Sequence, residues 1–276
     1  MGDVNDIVVD GVRLVYDVAG DPDAPPMVLL HALGESRESW APVVERFVPR
    51  HRVYAVDLRG HGDSDRPGTY SFGAMCADTV GLLDALGLTD VVLVGHSMGG
   101  VVVYRAALAR PDLVTRIVIE DAPPPYRREH PVPERPDEPI EFDWAVVPAI
   151  VGAVNAGDPR LWAELASITA PALVIGGGPD SHIPQDVLAD AAARIPDSTF
   201  RTIPAGHFVH TERPDEFADA VLDWASTHTP GQRLAAVIAP TRHRSTSGHR
   251  RATERRRAAT LGPPGVTRRQ EWVAIR

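Results

Sequence analysis

Lysine is absent from this sequence: all 28 basic residues among its 276 are arginine, which points to a coding sequence rich in G and C and carries no chemistry of its own. Cysteine is nearly absent too. The single thiol, Cys76, excludes an internal disulfide; lying in a helical pattern, it reads as a buried structural group rather than a reactive one. No run of eighteen apolar residues exists to cross a membrane. The opening Met1-Gly2-Asp3-Val4-Asn5-Asp6 is acidic and lacks the apolar core of a secretory signal, so a cytoplasmic protein is expected. No histidine pair has the His-Glu-x-x-His spacing of a zinc site, and no Gly-x-Gly-x-x-Gly opens a helix after the first strand; Gly176-Gly177-Gly178 does not fit that pattern. Neither a metal nor a cofactor is implied.

What is present is the composition of an ordinary globular protein, 43% hydrophobic and 24% charged, long enough for one large core with an insertion. Charge is divided unevenly. The formal net charge is −9, but residues 231–276 hold eleven arginines against Glu254 and Glu271, so the chain before them carries about −18. That acidic body argues against strongly anionic substrates. From Thr229 onward there is no sustained apolar period, and residues 229–276 are expected to form a disordered Arg-rich tail. The basic stretch from Arg250 to Arg257 offers no aromatic or amphipathic element, so the tail is not read as a nucleic-acid arm, and no nucleic-acid partner is expected for the body.

Along residues 1–228 the pattern is that of one domain. Ile7 to Val18 alternates apolar and polar about Asp10-Gly11, the dipeptide of a tight hairpin. Apolar runs at Met27–Leu30, Val91–Val94 and Ile117–Ile119 read as buried strands, and Arg52–Asp57, Ala172–Ile175 and Thr199–Ile203 as the other strands of the alternation. Between them lie helical patterns at 39–47, 71–86, 101–110, 184–194 and 214–226. Alternation of this kind predicts a mostly parallel sheet with helices on both faces. Residues 122–169 break the rhythm. Seven of the seventeen residues from Pro123 to Pro139 are proline, and Tyr126, Phe142, Trp144 and Trp162 fall on weakly helical pieces, so this stretch is expected to cap the sheet edge.

Gly95-His96-Ser97-Met98-Gly99 stands between the strand at 91–94 and the helix that follows, the strand, sharp turn and helix of a nucleophile elbow. Such a turn lifts Ser97 out at the carboxyl edge of the sheet, with the Met98 amide beside it at a helix start. A serine hydroxyl is not ionised at neutral pH and needs a histidine as base. Eleven histidines are available. His96 is expected to pack and hydrogen-bond, His31 and His61 to brace their loops, His210 to pack on the following helix, and His51 and His130 to be solvated.

With this elbow after the fifth strand, and with His31-Ala32-Leu33-Gly34, Asp57-x-Arg59-Gly60-His61-Gly62-x-Ser64 and Gly206-His207-Phe208-x-His210-x-Glu212-x-Pro214 in register, residues 5–228 resemble the α/β-hydrolase superfamily. The resemblance implies an eight-stranded, mostly parallel sheet with a short lid insertion at about 122–169. It also implies a triad of Ser97, His207 and an acid. Asp180, after the seventh strand, is the preferred acid; Asp121, after the sixth, is the alternative. The backbone amides of Leu33 and Met98 are expected to form the oxyanion hole, and His31, Tyr126, Trp144 and Trp162 to contribute to the substrate pocket.

The function expected is a serine hydrolase that cleaves a small ester, thioester or lactone through an acyl-enzyme, with a small-molecule acyl substrate as its partner. Two alternatives use the same scaffold. One is a cofactor-free lyase or a perhydrolase of the non-haem haloperoxidase type with the same triad; the other is a ligand-binding protein.

Overall fold

The computed structural model describes residues 2–228, so the Arg-rich tail and its expected disorder lie outside the described residues. The chain opens with β1 (Asp3–Val9) and β2 (Val12–Ala19), antiparallel and joined at Asp10-Gly11. Both turn residues have positive φ, 46° and 82°, as a hairpin turn matched to strand twist demands. The remaining strands, β3 (Pro26–Leu30), β4 (Arg52–Val56), β5 (Val91–His96), β6 (Val114–Glu120), β7 (Ala172–Gly176) and β8 (Ser198–Thr202), run parallel to one another. The sheet order is β1-β2-β4-β3-β5-β6-β7-β8.

The central strands are apolar throughout because both faces are covered. Val28, Leu30, Leu93, Ile117, Ile119 and Val174 point to one face, where they pack with α2 (Phe72–Ala85), α3 (Met98–Ala109) and α6 (Gln185–Arg194). Met27, Leu29, Val92, Val94, Val118 and Ile175 point to the other, against α1 (Ala41–Phe47) and α8 (Pro214–Thr227). Each such side chain contributes roughly 1.5–3 kcal/mol by leaving water. β8 lies at the sheet edge and is mostly exposed.

Residues 122–169 run in irregular backbone as far as α4 (Val146–Ala156), then through α5 (Pro159–Glu164). A backbone bridge between His61 and Phe142, with the Asp143 amide donating to the Gly60 carbonyl at 2.7 Å, and several side chains hold this stretch in place. Tyr70 Oη donates to Asp143 at 2.6 Å, Trp162 Nε1 donates to the Pro125 carbonyl at 3.0 Å, and Arg105 of α3 pairs with Asp158, which caps α5 through the Leu161 amide. The two helices are more regular than the sequence suggests, since Val146, Val147, Ile150 and Val151 pack a single apolar stripe inward.

Two other expectations change. His51 is buried rather than solvated, with Nδ1 against the Pro25 carbonyl at 3.2 Å, because the turn after α1 folds back on the start of β3. Cys76 is half-buried against the core, and that burial pushes its thiol pKa up.

Candidate active site

The elbow between β5 and α3 owes its shape to close approach. Ser97 has φ 50° and ψ −112°, a conformation that costs a non-glycine residue about 1–3 kcal/mol. Its amide donates to the Glu120 carbonyl at 3.0 Å, which ties the turn to the end of β6. A Cβ on Gly99 would lie 2.3 Å from the Leu30 carbonyl oxygen, and one on Gly95 would lie 2.5 Å from the Gly99 backbone. Only glycine permits the turn at those two places. Met98 follows as the first residue of α3, so its amide is among those a helix leaves without an intrahelical partner.

His207 comes from the loop between β8 and α7 (Val209–Glu212). It is 6% exposed, and Nδ1 sits 2.7 Å from Oδ2 of Asp121. With Nδ1–H donating to the carboxylate, Nε2 keeps its lone pair. His207 and Ser97 line one cleft, together with Leu33, Met98 and Asp121.

The carboxylate that meets the imidazole is therefore that of Asp121. Asp180, the acid preferred from sequence, is exposed, and no hydrogen bond joins it to His207. The difference lies in what each aspartate meets. Asp121 is fully buried at the end of β6 with φ 48°, and its Oδ1 accepts from the Gly177 amide at 3.0 Å and from Gln185 Nε2 at 3.3 Å. Its Oδ2 also accepts from the Ser181 hydroxyl. Burial alone would raise the carboxyl's pKa, but His207, Ser181 and the Gly177 amide outweigh it and hold the group below the usual carboxylate range. The loop after β7 supplies donors to the acid; a Cβ on Gly177 would fall 1.8 Å from the Gly206 carbonyl oxygen.

The loop carrying Leu33 is braced by two histidines. His31 Nε2 accepts from the Leu58 amide at 3.0 Å, and His61 Nε2 accepts from the Gly34 amide at 3.1 Å. Burial lowers their pKa values to about 4 and about 3, so both stay neutral and keep the accepting lone pair. Arg37 completes the brace through buried Asp57 and through Asp17 at 2.9 Å. His31 is fully buried within this support and does not reach the cleft.

The cleft is small, with a volume of about 70 Å³, and largely apolar, with Phe72, Val101, Ile150, Val154 and Ile183 among its wall residues. None of the aromatic residues expected there lines it. Tyr126 and Trp162 face a separate surface groove beside α6, with Arg194 5.2 Å from the Trp162 ring centre, and Trp144 lies against Phe142 with ring centres 6.1 Å apart. Trp162 packs against the core and Phe142 stacks on His61, while the aliphatic face of α4 looks into the cleft. Two lining residues, Arg128 and His182, had not been singled out from sequence. His182 is held neutral, its pKa lowered to about 4 by burial and then by His207, whose ring centre is 4.2 Å away. Its one sequence signal was its place in a loop that follows a strand.

Behind His207 lies a second buried cluster. His96 Nε2 donates to the His207 carbonyl at 2.8 Å, and His210 Nδ1 contacts both oxygens of Glu120 at 2.8 and 2.9 Å. His210 also stacks on Trp40 with ring centres 4.2 Å apart. Glu35, His96 and His210 bring ligand atoms within 4.8 Å of one another, the one such group among the described residues that could hold a metal ion. Glu35 Oε2, His96 Nδ1 and His210 Nε2 are buried without hydrogen-bond partners. A proton on His210 supplies the donor this cluster needs. Burial would lower the His210 pKa, but the charge of Glu120, its hydrogen bond and the charge of Glu35 outweigh that and raise it.

Comparison with known proteins places this geometry in context. Residues 25–145 match the alpha/beta hydrolase fold family. The chain is 28% identical over 252 residues to the mouse sn-1-specific diacylglycerol lipase ABHD11, covering 74% of this chain and 82% of that protein. It is 26% identical over 275 residues to a putative 2-succinyl-6-hydroxy-2,4-cyclohexadiene-1-carboxylate synthase of Bacillus subtilis, covering 82% and 100%. Among solved structures, the enol-lactonase from Burkholderia xenovorans LB400 superposes with a TM-score of 0.71 at 25% identity, over 80% of this chain and 100% of that one.

Proposed function

The chain belongs to the α/β-hydrolase superfamily, and from that premise we propose that it is a serine hydrolase acting on a small ester, thioester or lactone through an acyl-enzyme. One observation carries the reading: a serine in a strained elbow shares a cleft with a histidine whose Nδ1 is fixed on a buried carboxylate. In this reading His207 Nε2 takes the Ser97 proton as Oγ attacks the acyl carbon. The charge that develops on the carbonyl oxygen falls between the amides of Leu33 and Met98. Collapse of the tetrahedral adduct expels the alcohol, thiol or ring oxygen, which takes the proton back from His207. Water, activated by the same imidazole, then releases the acid and restores Ser97.

Asp121 holds the His207 tautomer and stabilises the imidazolium formed in each half-reaction. Residues 122–169 act as a lid whose aliphatic wall selects the acyl group. The cleft's small apolar volume favours short acyl chains.

Turnover of p-nitrophenyl acetate, together with covalent labelling of Ser97 by a fluorophosphonate, tests the proposal. Both are expected in the wild type, and both are lost in Ser97→Ala. A second reading, a cofactor-free lyase with the same three residues, is favoured by the likeness to the Bacillus subtilis synthase across most of this chain. Labelling of Ser97 without turnover of any ester or lactone would favour that reading and overturn the hydrolase.

A further inference from the structure

Arg128 is the one charged basic side chain lining the Ser97 cleft. Its surroundings are unusual for an arginine. Nε is buried with no hydrogen-bond partner, and among the described residues no carboxylate lies within ion-pair distance of the guanidinium. Its one side-chain hydrogen bond is a 3.3 Å contact from Nη1 to the Tyr126 hydroxyl, over whose ring the guanidinium lies at 4.9 Å.

The position is built rather than incidental. The Arg128 amide donates to the Asn155 carbonyl at 3.3 Å. Asn155 also grips His130 twice, accepting from its amide at 2.9 Å and donating to its carbonyl at 2.8 Å. The irregular strap is thereby pinned to α4, the helix whose aliphatic side walls the cleft, and Tyr126 supports the guanidinium from beneath. His130 and His182 both have lowered pKa values, first through burial, with the charge of Arg128 contributing at each. Arg128 is thus the one charged cation facing the cleft, opposite the Asp121 carboxylate that His207 engages.

We propose that Arg128 is a specificity-determining residue that binds a free carboxylate on the substrate, so that the preferred acyl donors are monoanionic: half-esters of short dicarboxylic acids, or lactones bearing one carboxylate. The proposal rests on Ser97 being the nucleophile. An unpaired, partly desolvated guanidinium offers two parallel N–H groups to one carboxylate. The aliphatic wall accepts the short methylene chain that separates that carboxylate from the reacting carbonyl. The net negative charge of the body is compatible with a single negative charge met by a single local cation, and it disfavours polyanions.

The test compares mono-p-nitrophenyl glutarate with its neutral twin, p-nitrophenyl methyl glutarate, on the wild type, Arg128→Met and Arg128→Lys. The ratio of the two kcat/KM values is the readout. In the wild type the ratio is expected to favour the anion by roughly tenfold or more, as for a charge-assisted contact in a partly desolvated site. It should fall to about one or below in the Met variant, recover in part in the Lys variant, and decline with added salt. A wild-type ratio near one, or a preference that survives in Arg128→Met, overturns the proposal while leaving the serine reading intact.

If neither ester turns over, p-nitrophenyl acetate turnover and Ser97 labelling decide the serine reading, and binding decides the Arg128 assignment separately. Monomethyl glutarate should then raise the wild-type Tm, leave that of Arg128→Met unmoved, and outdo dimethyl glutarate. Equal effects of the two esters, or an equal shift in the Met variant, would refute the carboxylate site.

Discussion

Two loops leave the carboxyl edge of the sheet side by side, after β6 and after β7, and each carries an aspartate at a position suited to a triad. At the end of β6, Asp121 is fully buried and accepts from His207, Ser181, Gly177 and Gln185. After β7, Asp180 is exposed, and the residues around it serve as donors to Asp121. The contrast shows that an acid site is made by its donors. A carboxylate can be buried and ionised only where several N–H or O–H groups converge on it, and the glycine-rich loop after β7 is shaped to provide them.

Neutralising each aspartate in turn separates their roles. Asp121→Asn, which preserves shape but no longer fixes the His207 tautomer, is expected to lower kcat on a small p-nitrophenyl ester by roughly 10³–10⁴-fold. Asp180→Asn should leave kcat within about twofold. Loss of activity in Asp180→Asn with survival in Asp121→Asn would reverse the assignment of the acid.

A smaller effect sharpens the contrast between the site and the buried layer behind it. The folded pKa of His210 is raised, chiefly by Glu120 acting against burial, with Glu35 and His96 facing the same ring. A raised histidine pKa contributes stability that is fully present below the unfolded value near 6.5 and is lost as pH rises through the folded value. Thermal unfolding should therefore show the wild-type Tm declining over that window. Glu120→Gln should flatten the decline and lower stability at pH 6 by about 1–3 kcal/mol, the cost of weakening a buried charge-assisted contact. A Gln variant with an unchanged pH profile would remove the proton from this account of the cluster.

Much of the framework was legible in the chain. Buried parallel strands need apolar residues at every position, so Met27–Leu30, Val91–Val94 and Ile117–Ile119 announce themselves. Asp10-Gly11 and the glycines flanking Ser97 mark turns that few other residues could make. The acid was not legible in the same way. Asp121 and Asp180 each follow a strand, and the burial and converging donors that separate them arise only once the loops after β6 and β7 meet. The region from 122 to 169 was opaque for a different reason: its prolines erase periodicity, so the sequence did not say which face of α4 looks inward. Aromatic rings drew attention as pocket residues, but Trp162 packs against the core and Phe142 stacks on His61, while valines and isoleucines of α4 and the lone Arg128 reach the cleft. His51 misled for a similar reason, because a polar residue in a turn looks solvated until the turn folds back on a strand.

In the proposed reaction Ser97 becomes acylated, and His207, held by Asp121, delivers the water that frees it. The most direct measurement is the intact mass of the protein acid-quenched during turnover of p-nitrophenyl acetate, followed by peptide mapping. One added acetyl group on the peptide containing Ser97 is predicted, accumulating further in Asp121→Asn if deacylation slows more than acylation, and absent in Ser97→Ala. Turnover with no acyl adduct at any quench time, or equal turnover by the Ser97→Ala protein, would contradict it.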